Sequence, residues 1–182
     1  MALGFNRRRI NVKGGGTLQV REVDPTPGSW QTIGFIKDST FVLEPQMVES
    51  IDDKGDQIDN KIGGKKASWR ATLMQSSKDE YQLVKDAEEK IYEMYYHVLN
   101  ADGNHFEVVF PLVRIKPGFE SSFQAATERG IQVEFYALAP ATALTRTPTA
   151  YNSLQWEPFV ISENASEQGA PSDNASVPAG AI

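Results

Sequence analysis

The chain carries two histidines, His97 and His105. A pair of imidazoles is the first feature that could support acid–base or metal chemistry. A metal pair needs a third ligand converging on it, and no spacing in the sequence supplies one. His97 is read instead as a cation suited to the negative end of a helix, and His105 as the opening of a strand. Asp52, Asp53, Asp56 and Asp59 superficially resemble a calcium loop. Lys54 falls where a second oxygen ligand should stand, and no glutamate closes the loop, leaving at most a weak surface cation site. Gly14, Gly15 and Gly16 lack the Gly-Lys-Ser/Thr that a phosphate loop requires. Ser76, Ser77, Ser121 and Ser122 sit in no nucleophile-elbow context. Glu88 and Glu89 fall on what reads as an exposed helix face. There is no cysteine, so thiolate catalysis, disulfides and cysteine–zinc sites are excluded. No catalytic, cofactor-binding or metal-ligating residue is assigned, and the chain is not expected to be an enzyme.

The elements that would position such residues are legible in outline. At 182 residues the chain suits one domain with tails. Hydrophobic residues make up 40% and charged residues 23%, slightly apolar-poor, as expected if part of the chain is loop or tail. The net charge of −6 disfavours tight nucleic-acid binding through a basic face. Charge is nonetheless uneven: Arg7, Arg8, Arg9 and Lys13 make a basic N-terminal arm, and Asp38 to Asp59 is acidic. The bland reading of such runs is solvated loop. No apolar run reaches the ~20 residues of a membrane span. No apolar region follows the basic N-terminus as it would in a secretory signal, so assembly in the cytoplasm is expected.

Residues 1–16 read as a flexible arm. Alternation predicts strands over Thr17–Val23, Trp30–Ile36 and Thr40–Ile51, the last interrupted by Pro45. Residues 52–66, rich in charge and glycine, read as a long loop between neighbouring strands, or as an extended hairpin that orders on a partner. Ala67–Gln75 alternates strictly, with Trp69, Ala71 and Leu73 on one face. Ser77 and Glu80 have capping-box spacing, and an amphipathic helix is predicted over 78–99 with Tyr81, Val84, Ile91, Tyr95 and Val98 as its stripe. Strands follow over His105–Ile115, Gly118–Thr127 and Gly130–Ala139, joined too tightly for crossovers and so antiparallel. Residues 162–182 hold almost no large apolar group and are expected to be disordered. The fold class is mainly β with one α-helix: an antiparallel barrel or sandwich over 17–161, flanked by that helix.

This order of elements resembles the tail tube protein (major tail protein) of tailed bacteriophages, a plan shared with contractile injection and type VI secretion tubes. The resemblance covers roughly residues 17–139. It is carried by Ile33-Gly34-Phe35-Ile36 followed by Asp38-Ser39-Thr40-Phe41, by Gly63-Gly64 leading into Ala67-Ser68-Trp69, and by Gly130-Ile131-Gln132-Val133-Glu134-Phe135-Tyr136-Ala137 as a last barrel strand. It implies a virion tail protein that forms rings, usually hexamers, stacked into a tube through which double-stranded DNA passes. It also implies tape measure, tail terminator and baseplate proteins as partners, and no membrane insertion. Under that resemblance the inter-ring contact candidates are Asp52, Asp53, Lys54, Asp56, Asp59, Lys61, Lys65 and Lys66, with Arg7, Arg8 and Arg9 in a second arm. A tail terminator or neck connector, which forms single rings, and a monomeric small-ligand-binding barrel are the alternatives.

Overall fold

The computed structural model describes residues 16–23, 28–51, 57–74, 90–116, 120–122 and 130–173. Eight strands account for most of them: β1 (Thr17–Glu22), β2 (Gln31–Ile51), β3 (Gln57–Met74), β4 (Tyr92–Leu99), β5 (His105–Ile115), β6 (Glu120–Ser122), β7 (Gly130–Leu138) and β8 (Val160–Asn164). They form one antiparallel sheet in the order β6-β7-β3-β2-β1-β4-β5-β8. β7 also pairs with β5, from Leu112 opposite Leu138 to Ile115 opposite Phe135. The sheet therefore bends until its halves touch, while β6 and β8 remain its open ends.

The enclosed face holds the main core. Leu18 and Val20 of β1, Trp69, Ala71 and Leu73 of β3, and Val133 and Phe135 of β7 are buried there, following the period-2 alternation of their strands. Trp69 lies at its centre, with ring centroids 4.8 Å from Tyr96 and 5.9 Å from Phe135. Gly16 lies against the Tyr96 ring. A Cβ there would stand 2.2 Å from Cε2 of Tyr96 and 2.6 Å from its hydroxyl oxygen. Tyr96 is itself buried and packed on Trp69, so it cannot swing clear. Gly16→Ala is expected to cost about 1–3 kcal/mol by overpacking, measured as a lowered midpoint in a urea or thermal melt. Gly16 is thus a packed residue; the rest of the expected flexible arm, 1–15, lies outside the described residues.

The helix expected over 78–99 is corrected over its second half. Tyr92–Leu99 is strand β4, paired with β1 on one side and β5 on the other. Its Tyr92, Met94, Tyr96 and Val98 enter the main core, while Glu93 and Tyr95 are buried on the opposite face. A strand apolar on both faces places residues at i, i+3, i+4 and i+7 as a helix does, and Ile91, Met94, Tyr95 and Val98 satisfied that template. Residues 78–89 lie outside the described residues. Among the described residues the helical content is a single 3₁₀ turn, Thr149–Tyr151.

Two expected strands, Trp30–Ile36 and Thr40–Ile51, prove to be one. β2 runs unbroken from Gln31, with register shifts between Ile36 and Asp38 and between Gln46 and Met47. β5 and β7 occupy the predicted ranges to within a residue. Pro111 in β5 sits at the register shift between Phe110 and Val113, where the missing N–H breaks no ladder bond. Of the strand expected over Gly118–Thr127, Glu120–Ser122 is β6; the remainder is outside the described residues.

Across β3 and β7, Arg70 Nε donates to Glu134 at 2.9 Å, and Lys116 Nζ to the same carboxylate at 3.1 Å. Burial alone would raise the Glu134 carboxyl, but these two cations outweigh it and hold it below the ordinary 4.5. Its contribution is therefore present above about pH 4.5 and is lost as the pH falls through the lower folded-state value. Because Arg70 is 71% and Lys116 56% exposed, the effect is at most ~1 kcal/mol. Glu134→Gln should lower the melting point slightly at pH 7, and the difference from the parent should shrink as the pH falls below 4.5 and the carboxylate is protonated in the folded state too.

Candidate assembly surface

β2 and β3 outrun the rest of the sheet. Their ladder continues from Leu43 opposite Ala67 through Glu44 opposite Lys66 to Ile51 opposite Gln57. The neighbours stop sooner: β1 reaches no further along β2 than Phe35, and β7 no further along β3 than Ala67. Beyond Leu43 the two strands form an arm of eight β2 residues, about 25 Å long at ~3.4 Å per residue. Among the described strands, the outer N–H and C=O groups of this arm meet no third strand. A two-stranded ribbon is marginally stable alone, and its bare edges are templates for pairing with another chain.

Of the two readings of 52–66, the loop is corrected over 57–66, where the chain is the second strand of an extended hairpin. Asp59, Lys61, Lys65 and Lys66 are strand residues of β3, opposite Ser50, Val48, Pro45 and Glu44. Turn-like composition, with Gly63 and Gly64 beside a run of charges, concealed a strand that over 57–66 pairs, among the described residues, with β2 alone. Asp52, Asp53, Lys54 and Asp56 lie outside the described residues, as do Arg7, Arg8 and Arg9. The structure therefore gathers Asp59, Lys61, Lys65 and Lys66 on one arm and leaves the other candidates unplaced.

At the root of the arm the sheet is apolar. Phe41 and Leu43 are about 40% exposed. Phe41 packs edge-on against Phe159, with centroids 4.7 Å apart, and both line a cavity of about 170 Å³ with Trp69, Phe106 and Phe110.

The chain after Pro140 is a strap over the outer face of β1, β4 and β5, and two buried carboxylates hold it there. Glu93, fully buried, accepts from Arg21 Nε at 2.7 Å and also from Arg146 Nη2. Both arginines are buried and both donate to the Asp173 carbonyl, Arg146 at 2.9 Å. The Asp173 carboxylate accepts from the Thr147 N–H at 2.9 Å and lies 3.6 Å from Arg146 Nε. Two cations thus meet two anions. Burial pushes the Glu93 carboxyl up, and the two guanidinium groups pull against it. Arg21 also lies 4.5 Å over the Trp30 ring, whose Nε1 donates to the Pro171 carbonyl.

Glu107 is the second anchor. It accepts from Tyr95 Oη at 2.7 Å and from the backbone N–H groups of Gln168 and Gly169 at 2.9 and 3.2 Å. Burial, and then the bond to Glu107, raise the Tyr95 phenol, so it stays protonated and donates. The expectation of a disordered tail over 162–182 is corrected by these contacts. Ser162–Asn164 belong to β8, and the chain is tied down as far as Asp173; 174–182 lie outside the described residues. A small polar segment stays ordered here because its backbone, not its side chains, fills the hydrogen-bonding capacity of buried charges.

Sequence reasoning passed over Glu93, Glu107, Arg21 and Arg146. A signal was present: Glu93 and Glu107 each interrupt an apolar run, Ile91–Tyr95 and Phe106–Phe110, where a lone acid implies a buried partner. The two histidines also come together. His97 Nε2 and His105 Nδ1 are 2.8 Å apart, and Glu167 Oε1 approaches His97 Nδ1 at 3.6 Å.

No family model matches the chain, and no curated protein matches it in sequence. Among solved structures it is similar to a chain in the tail of an empty gene transfer agent particle, at 15% identity and a TM-score of 0.40, covering 66% of this chain and 90% of that one. It is similar to the SPP1 tail tube protein at 14% identity and a TM-score of 0.45, covering 67% of this chain and 72% of that one. It is also similar to the anti-feeding prophage cap that terminates a tube, at 9% identity and a TM-score of 0.42, covering 80% and 87%.

Proposed function

We propose that this chain is a structural, non-catalytic virion protein that polymerises as stacked rings, in sixes, to build a tail tube. The observation that carries the reading is the β2–β3 arm, which extends at least eight residues past β1 and β7 and, among the described residues, meets no third strand on either edge. In a ring, sheets of successive copies join into one inner barrel and each arm reaches a neighbour, so edges that are a liability in one copy become the adhesive between copies. Tape measure, terminator and baseplate proteins would meet the ends of such a tube. A net charge of −6 per copy suits a wall past which phosphates slide without being held. Assembly in a bacterial cytoplasm and residence in the virion tail follow from the same reading.

Negative-stain electron microscopy of the purified chain tests it. Stacks of uniform bore that lengthen with concentration are expected. Single rings that never lengthen would point to a terminator or connector, and a persistent monomer would overturn the reading.

A further inference from the structure

We propose that His97, His105 and Glu167 form a binding site for a divalent transition-metal ion of the zinc class. The three come from separate segments: β4, the first residue of β5, and the strap after β8. One donor atom from each lies within 4.8 Å of those of the other two. The imidazole planes are within 10° of parallel, with centroids 5.0 Å apart, and the facing nitrogens are 2.8 Å from each other.

That contact is a hydrogen bond in which one ring donates and the other accepts, so a lone pair and an N–H already point into the same small space. Replacing the shared hydrogen with an ion requires the donating ring to move its proton to its other nitrogen. It also requires the rings to part by about half an ångström and to turn from their near head-on approach, since tetrahedral zinc ligands at ~2.0–2.1 Å from the metal sit roughly 3.3 Å apart and meet it at an angle. Glu167 Oε1 lies beside His97 Nδ1 and not beside the Nε2 that faces His105, so ligation requires it to move round the ring, which its 51% exposure permits. Two imidazoles and a carboxylate leave a fourth position open to water. Nitrogen ligands select zinc-like ions over magnesium or calcium, which take oxygen.

The hairpin turn between β4 and β5 fixes both rings. Asn100 N bonds Asn104 O at 2.8 Å, and His97 and His105 stand three and one residues outside that closure. Glu167 immediately precedes Gln168 and Gly169, whose N–H groups cap Glu107. An ion held here would pin the strap to the β4–β5 hairpin. It would act as a clasp whether or not the chain assembles.

The test uses the untagged full chain, stripped with chelator and titrated with zinc chloride by calorimetry, alongside thermal melts. One zinc per chain and a melting-point rise reversed by EDTA are expected. His105→Ala and Glu167→Gln should each weaken zinc affinity at least about ten-fold. Glu167→Gln changes an exposed side chain and keeps the fold, so its result stands even if His105→Ala unfolds. Absence of stoichiometric binding, or binding undiminished in a folded Glu167→Gln variant, would overturn the proposal.

Discussion

Glu93→Leu is expected to destabilise the fold by about 3–5 kcal/mol, read from urea unfolding monitored by tryptophan fluorescence. The substitution leaves the guanidinium groups of Arg21 and Arg146 buried with one carboxylate fewer. In a low-dielectric interior an uncompensated charge costs far more than the lost bond itself. The strap should loosen first, because Arg146 and Asp173 lose the group that holds them to β4. A companion variant separates charge from shape. Arg21→Met, Glu93→Leu and Arg146→Leu together remove the fully buried charges, leaving only the 38% exposed Asp173 carboxylate, and should recover most of the loss, since a buried ion triad replaced by apolar groups is often neutral or stabilising. If the single variant melts with the parent, the Glu93 triad does not anchor the strap.

The second large effect is on assembly. Excising residues 45–65 and joining Glu44 to Lys66 through Asn-Gly removes the arm and closes the hairpin on residues that already face each other. Asn-Gly supplies the type I′ turn that a two-residue connection needs. The core residues of β2 and β3 lie outside the excision: Ile33 and Ile36 before it, Trp69, Ala71 and Leu73 after it. The variant should therefore melt within a few degrees of the parent. The concentration needed for particles should rise at least about a hundred-fold, equivalent to about 2.7 kcal/mol per contact set. Normal tubes from the armless variant would remove the arm from the assembly mechanism.

What could be read from residues alone followed from how cleanly each strand separates its two faces. β3 and β7 alternate apolar and polar, and their ranges and inward residues were legible. β4 was misread because a second layer, the strap, buries its other face too, and a two-faced apolar strand imitates a helical stripe. The arm was half legible: its charges and glycines marked something that leaves the core, but its second strand, 57–66, is too thin in apolar residues to show a hydrophobic period. The strap was invisible for a related reason. Gln168 and Gly169 hold Glu107 through backbone N–H groups that every non-proline residue possesses, so side-chain composition could not announce the contact. Glu167 was missed as a third neighbour of the histidines because that segment read as tail.

Peptide-resolved amide hydrogen exchange, compared between the isolated subunit and the assembled particle, tests most directly whether neighbouring copies complete the arm. Protection should rise on assembly across 44–51 and 57–66, while the already paired core peptides of β3 and β7 change little. Equal exchange of the arm in both states would contradict the account, because its outward amides would then be as bare in the particle as in the single chain.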